Sequence, residues 1–286
     1  MVQPKTSFSL FTRIGRVMIV RSIRALGPLR NAFVFVVAMT WYGTRPATER
    51  LRAAENHRRL NPSLNVEQAR RLARRSFYEY VAMIVDSIWA DALDNEEINR
   101  LVTVSGQELL LNERGGVLTM CHFGNWDMAA SAALALGLRM TTVMATIIAR
   151  PLTEMVALSR TVKGLELYTP RQAARGLLRA LREGRFVALM SDIPEAGPTV
   201  TVPYCGGPVN FSAVPARLAM ATGTPLFPVA CWKENRHWRL VIHDAVPVEE
   251  SDDESAVMAR VAAVLEPHVR RHPEQWYPFH RVYADR

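Results

Sequence analysis

The chain has 286 residues, 49% of them apolar and 22% charged, with a formal net charge of +8, which is ordinary for a globular core. Seven basic residues and no acidic one fall between Met1 and Ala47 (Lys5, Arg13, Arg16, Arg21, Arg24, Arg30 and Arg45), so the other 239 residues are nearly neutral. That distribution excludes a basic field spread over the whole surface for nucleic acid and points to a localised basic, apolar arm. The three cysteines, Cys121, Cys205 and Cys231, sit in apolar sequence; they exclude a disulfide framework and fit a reducing setting.

Residues 8–42 mix Phe, Leu, Ile, Val and Trp with arginine, and helical winding gathers arginines at the borders of an apolar surface. Such a segment lies in a headgroup region with its arginines on lipid phosphates; the same pattern also describes a core helix with snorkelling arginines. Ala32–Trp41 is strongly apolar but too short for a span, which needs about 20 residues, and no secretory signal is evident. Thr48–Leu60 and Asn65–Leu93 read as helices separated by Pro62, the second with apolar residues at helical spacing from Ala73 to Ile88.

Beyond residue 101 short apolar strands alternate with helices. Strands are expected at 101–104, 117–121, 142–145, 165–168, 186–190 and 199–203, with helices at 107–112, 125–136, 151–162, 171–183 and 212–222. A strand pair comes next at 225–233 and 238–245, then a last helix at 253–271. The alternation predicts an α/β fold whose central, mostly parallel β-sheet is flanked by helices.

In open α/β sheets ligands bind beyond the carboxyl ends of strands. His122 lies just past one strand and Asp192 just past another, which puts both on one rim. Asp127 falls in the first turn of the next helix, where the dipole favours a carboxylate. An Asp127 bonded to one nitrogen of His122 would leave the other nitrogen as a general base. Gly124 and Asn125 offer backbone amides for an oxyanion. On spacing alone, a capping aspartate beside a structural histidine explains the segment equally well. Cys121 would point to the opposite face of its strand, and Trp276 and Tyr277 read as core. His268 and His272, four apart at a helix end, read as solvated helix-end residues, and no metal site is expected. No G-x-G-x-x-G nucleotide loop and no H-E-x-x-H zinc motif occurs.

The string His122-Phe123-Gly124-Asn125-Trp126-Asp127 resembles the HX4D motif of glycerolipid-type acyltransferases. Its Gly-Asn-Trp filling resembles the branch that holds the late lipid A acyltransferases and the mycobacterial phosphatidylinositol mannoside acyltransferases. His272-Pro273-Glu274-Gln275-Trp276, with His280-Arg281 beyond, resembles the HPEQW…HR ending of the lipid A branch. A third block runs from Gly184 to Asp192 and on to Val202–Pro208. The resemblance covers about residues 75–283. The chain departs from the lipid A branch at Ile193, where glutamine is usual, and it keeps an HPEQW ending that the mannoside branch lacks.

Composition and the element pattern divide the chain into residues 1–46, a membrane-associating helical arm, and residues 47–286, which the resemblance implies to be the acyltransferase domain. The resemblance implies transfer of a fatty acyl chain from an acyl thioester, acyl carrier protein or coenzyme A as co-substrate and no cofactor, to a hydroxyl of a glycolipid or phospholipid. The place would be the cytoplasmic face of the inner membrane, with peripheral or monotopic attachment. His122 would be the base, Asp127 its orienting partner, and Asp192 a contact to the acceptor or a support of the relay. Arg160 would hold a phosphate of acceptor or donor; the alternative is a solvated helix residue. A thioesterase on the same scaffold and a non-catalytic lipid-binding protein are the competing functions.

Overall fold

The computed structural model describes residues 8–145, 150–194 and 197–284. Lys5 of the expected arm and Glu195 and Ala196 of the expected loop after Asp192 lie outside them. The chain opens with α1 (Leu10–Ala25), a short 3-10 turn at Gly27–Leu29 and α2 (Arg30–Thr44). Gly27 takes φ +47° and Pro28 succeeds it, a pair that ends one helix and starts another at a new angle. The two helices meet at 93°, and among the described residues no single helix is long and apolar enough to cross a membrane.

Next come α3 (Ala47–Leu60) and α4 (Val66–Ala90). Asn65 and Gln68 close a capping box on α4, satisfying two of the amides a helix start leaves free. The buried residues Ala69, Ala73, Phe77, Val81 and Val85 recur at helical spacing and pack α4 against its neighbours. Val81 and Val85 meet Ile23, Val34 and Ala38 of the arm, whereas Ala69, Ala73 and Phe77 meet Ala53 and Ala54 of α3.

The α/β part then runs α5 (Asn95–Leu101), β1 (Val102–Ser105), α6 (Gln107–Leu111), β2 (Gly116–Met120), α7 (Trp126–Ala135), β3 (Met140–Val143), α8 (Arg150–Val162) and β4 (Glu166–Tyr168). It continues with α9 (Pro170–Arg182), β5 (Phe186–Met190), β6 (Thr199–Tyr204), β7 (Gly207–Ser212), α10 (Val214–Thr222), β8 (Leu226–Glu234), β9 (His237–Ile242) and α11 (Glu254–Arg271). A seven-stranded sheet has the order β1-β9-β8-β2-β5-β3-β4, and β6 and β7 form a separate antiparallel hairpin. Every pair in the large sheet is parallel except β8 with β9. The expected α/β architecture and the strand pair near its C-terminal end are therefore present. The sequence pattern misses α5 and β7.

Strand alternation divides the interior in two. Val117, Val187, Leu226 and Ala230 face a core shared with α9, α10 and α11, while Leu118, Phe186, Phe227 and Val229 face one shared with α5 and α7. After α11 the chain passes a 3-10 turn at Pro273–Gln275 and runs back against α3 and α4. Asn56 donates to the carbonyls of Pro278 (2.9 Å) and His280 (3.1 Å), and the Phe279 ring packs on Phe77 with centroids 4.2 Å apart.

Histidines punctuate this packing. His57 is fully buried, bonds Ser76 through Nε2 at 3.0 Å and leaves Nδ1 without a partner. Burial holds its pKa down to about 3. His268, expected at a solvated helix end, instead meets Nε2 of His243 with its own Nε2 at 2.8 Å, and His272 stacks on Trp232. Burial, then the charges of its neighbours His243, His272 and Arg271, lower His268 to about 4.

These imidazoles are neutral in the fold and protonate near 6.5 once unfolded. Their contribution is complete above that pH and declines as pH falls through it toward 4 and 3. The urea midpoint should accordingly be flat from pH 8 to 7 and drop by pH 5.5, with His57 alone contributing about 1 kcal/mol of the loss. His57→Gln should flatten part of that slope, as read from urea titrations at each pH.

Candidate active site

β2 and β5 lie side by side in parallel, with Met120 opposite Met190. Both strands end at that pair, so the two chains leave the sheet in step. The Ser191 amide still donates to the Met120 carbonyl at 2.9 Å, and one residue further His122 meets Asp192. The carboxylate accepts from the His122 backbone amide at 2.9 and 3.0 Å and lies 2.8 Å from Nδ1. A carboxylate accepts, so Nδ1 carries a proton, and in the neutral ring Nε2 then keeps its lone pair. Asp192 is almost fully buried, whereas 27% of the His122 side chain is exposed. The Trp126 ring stands edge-on to the imidazole at 5.2 Å. One side of the histidine is thus held and the other is open.

The expected bond from Asp127 to His122 is not made. Asp127 is the second residue of α7, and its carboxylate accepts from Arg160 of α8, Nε to Oδ1 at 2.8 Å and Nη2 to Oδ2 at 3.3 Å. The forked guanidinium matches a carboxylate with two bonds, and that match takes Asp127 away from the imidazole. It also engages Arg160, to which the family resemblance gives a phosphate; the arginine is half-buried and bound to Asp127. Lys163, just past the end of α8, donates to the Ser131 hydroxyl at 3.0 Å, and Ser131 donates to the Asp127 carbonyl at 2.8 Å.

The amides of Gly124 and Asn125 are not available as oxyanion donors either. Gly124 donates to the Gln275 carbonyl and Asn125 to the Cys231 carbonyl, each at 2.8 Å. The segment is wedged between β8 and the C-terminal tail, where Phe123 pairs with Trp276 and the Tyr277 hydroxyl donates to the Gly124 carbonyl at 2.9 Å. Buried amides must be paired, and these are. The Asn125 side chain caps α7 by accepting from Met128 at 2.8 Å. Among the described residues the amides of Trp126 and Asp127 at the start of α7 meet no acceptor, as the first turn of a helix allows.

The tail block is a brace. The Gln275 side chain bonds both backbone groups of Lys233 at 2.8 Å while its carbonyl holds Gly124. Trp276 and Tyr277 are buried, in keeping with core residues, and the Cys121 thiol is buried as well. His280, which no spacing singles out as a site residue, is half-buried within reach of the charges of Asp192 and His122. Burial lowers its pKa first, Asp192 raises it, and His122 and Arg52 lower it. Its signal in the sequence is the HR pair closing the tail block. Among the described residues, no three of His, Cys, Asp and Glu cluster to hold a metal ion.

A family model described as bacterial lipid A biosynthesis acyltransferase matches residues 8–284. Phosphatidylinositol mannoside acyltransferase of Mycobacterium tuberculosis (strain H37Rv) is 30% identical over 167 residues, covering 57% of this chain and 52% of that protein. The protein of that name from Mycolicibacterium smegmatis is 26% identical, covering 72% and 70%. The chain thus spans about half the length of the tuberculosis relative it matches. A solved structure, the 1-acyl-sn-glycerophosphate acyltransferase PlsC of Thermotoga maritima, aligns with 93% of this chain and 99% of that one at 15% identity and a TM-score of 0.43.

Gly124 is where the backbone leaves no choice of residue. It sits at φ +61°, and a Cβ there would lie 1.8 Å from the Cys231 carbonyl oxygen. Gly124→Ala must strain the turn and push β8 away from the motif. A loss of about 2–4 kcal/mol is expected, measured by urea unfolding at pH 7.5.

Proposed function

The chain belongs to the bacterial lipid A biosynthesis acyltransferase family, and from that membership we propose that it moves a fatty acyl chain from an acyl thioester to a hydroxyl of a glycolipid or phospholipid. The donor is acyl carrier protein or coenzyme A carrying the chain, and the acceptor belongs to the lipid A precursor or phosphatidylinositol mannoside type, the second being the type named for the relatives. The observation that carries the reading is the His122–Asp192 pair at the carboxyl edge of β2 and β5.

In this reading Nε2 of His122 takes the proton of the acceptor hydroxyl as its oxygen attacks the thioester carbonyl. Asp192, bonded at Nδ1, fixes the tautomer and offsets the charge of the imidazolium. The tetrahedral oxyanion sits against the first-turn amides of Trp126 and Asp127. It collapses by breaking the carbon–sulfur bond, and the thiolate leaves with the proton that Nε2 had taken. A thioester is activated enough that no covalent enzyme intermediate is required. Asp127 and Arg160 stand beside the base as an ion pair and shape the site.

The arm supplies the lipid contact. Leu10, Phe11, Ile14, Val17 and Met18 of α1 and Phe35 and Val36 of α2 are exposed, Phe11 by 82%. Together with the acid-free, basic composition this suits attachment to an anionic leaflet without a spanning helix, here the cytoplasmic face of the inner membrane.

The test is transfer to vesicles of polar lipid extracted from cells lacking the protein. Palmitoyl-coenzyme A and palmitoyl-acyl carrier protein are supplied in parallel, and products are read by mass spectrometry. One lipid gaining one acyl mass is the expected result. His122→Ala should lower kcat by about 10³-fold or more and Asp192→Asn by about 10²-fold, with folding retained by circular dichroism. Release of free fatty acid at the same rate with and without vesicles would favour a thioesterase.

A further inference from the structure

The arm does more than face lipid. Its inner side carries Thr12, Arg16, Val20 and Ile23 against the body of the protein, with Thr12, Val20 and Ile23 buried, while Leu10, Phe11, Ile14, Val17 and Met18 look outward. Arg16 is the polar centre of that inner side. Its Nε donates to Asp91 at 2.8 Å and to the Ser159 hydroxyl at 3.1 Å, and its Nη2 lies 2.8 Å from the same Asp91 oxygen. Asp91 closes α4, and its side chain is only 4% exposed. Ser159 belongs to α8 and bonds Asp91 as well. Lys163 completes the cluster, its Nζ 3.6 Å from the other Asp91 oxygen and its pKa lowered by burial against the pull of Asp91 and Asp127. Nearer the start of α8, the Thr12 hydroxyl donates to Glu154 at 3.3 Å.

Residue 159 is clamped to the arm and residue 160 holds Asp127. The two residues share one hydrogen-bonded helix backbone, so a shift of α8 at residue 159 carries residue 160 with it. We infer that Arg16 is a positioning residue for the transfer reaction: by locking α8 against Asp91 it keeps Arg160 on Asp127, and so ties the seating of the membrane-facing helix to the geometry of the site. The inference rests on the acyltransferase reading. It makes the arm a working part of the reaction centre and not an anchor alone. Arg16 points inward, so its loss leaves the outer apolar face of α1 intact. It acts on turnover and not on substrate capture, because its bonds go to Asp91 and Ser159 and none reaches the open Nε2 of His122.

The experiment compares wild type with Arg16→Ala, Arg16→Lys and Ser159→Ala, the last a milder cut of the same clamp should the first fold poorly. The vesicle transfer assay is used, with sedimentation onto vesicles of phosphatidylglycerol and phosphatidylcholine and amide hydrogen exchange over residues 150–162. Arg16→Ala should lower kcat about tenfold with KM for the thioester unchanged, speed exchange in α8 and sediment as wild type does. Arg16→Lys should recover part of the rate and Ser159→Ala fall between. Wild-type kcat in Arg16→Ala overturns the inference, as does a fall in rate with α8 exchange unchanged. Loss of sedimentation with kcat intact overturns it too, since Arg16 would then be a lipid contact. If the wild type transfers no acyl chain, the acyltransferase reading fails first; unchanged α8 exchange then also removes the clamp, and faster exchange in Arg16→Ala keeps it.

Discussion

The parallel register of β2 and β5 is the constraint on which the site depends. Met120 stands opposite Met190, and two residues on from each the chain offers an imidazole and a carboxylate. Because neighbouring strands run about 4.8 Å apart, side chains leaving at the same level meet without any loop having to search for a conformation. Asp192 exploits this three times, taking the His122 amide with both oxygens and Nδ1 with one. A slip of one strand by one residue would turn its side chains to the opposite face of the sheet, carrying Val117 or Val187 out of the core. The apolar core that fixes those valines therefore also fixes the imidazole.

The turn after His122 is rigid for a related reason. Phe123, Gly124 and Asn125 leave the sheet through a path in which each amide finds a carbonyl, at Cys121, Gln275 and Cys231. Two of those carbonyls lie far away in sequence, on β8 and on the C-terminal tail. The motif is consequently a product of three chain segments, and it forms only when β8 and the tail are in place. This engages the amides of residues 123–125 and leaves those that open α7 without an acceptor among the described residues.

Much of this was legible in the sequence. The strand and helix alternation from residue 101 onward is strongly patterned, and most elements fall within one or two residues of their expected ends. α5 escapes that pattern because Asn95–Leu101 is short and polar, with Ile98 its one buried residue. β7 escapes it because Gly207 and Pro208 look like loop, although proline is tolerated at the free edge of a two-stranded hairpin. Spacing along the chain pairs His122 with Asp127, when the pairing runs across the sheet. Residues 122 and 192 are related by strand neighbourhood, which no local spacing encodes. The commitment of Arg160 to Asp127 is equally non-local, joining α7 to α8.

The two carboxylates differ in what already neutralises them, and that difference assigns their parts. Asp127 faces a guanidinium with two bonds, so its charge is compensated before any reaction begins. Among the described residues no lysine or arginine pairs with Asp192, whose partner is the His122 imidazole; in the proposed reaction its cation is the imidazolium formed there. A carboxylate already neutralised has little left to offer a new positive charge beside it, whereas a buried one lacking a cation gains most when that charge appears. In the proposed reaction that asymmetry gives Asp192, and not Asp127, the part of offsetting the imidazolium charge. Arg160 meanwhile holds the second carboxylate toward α8 with two bonds.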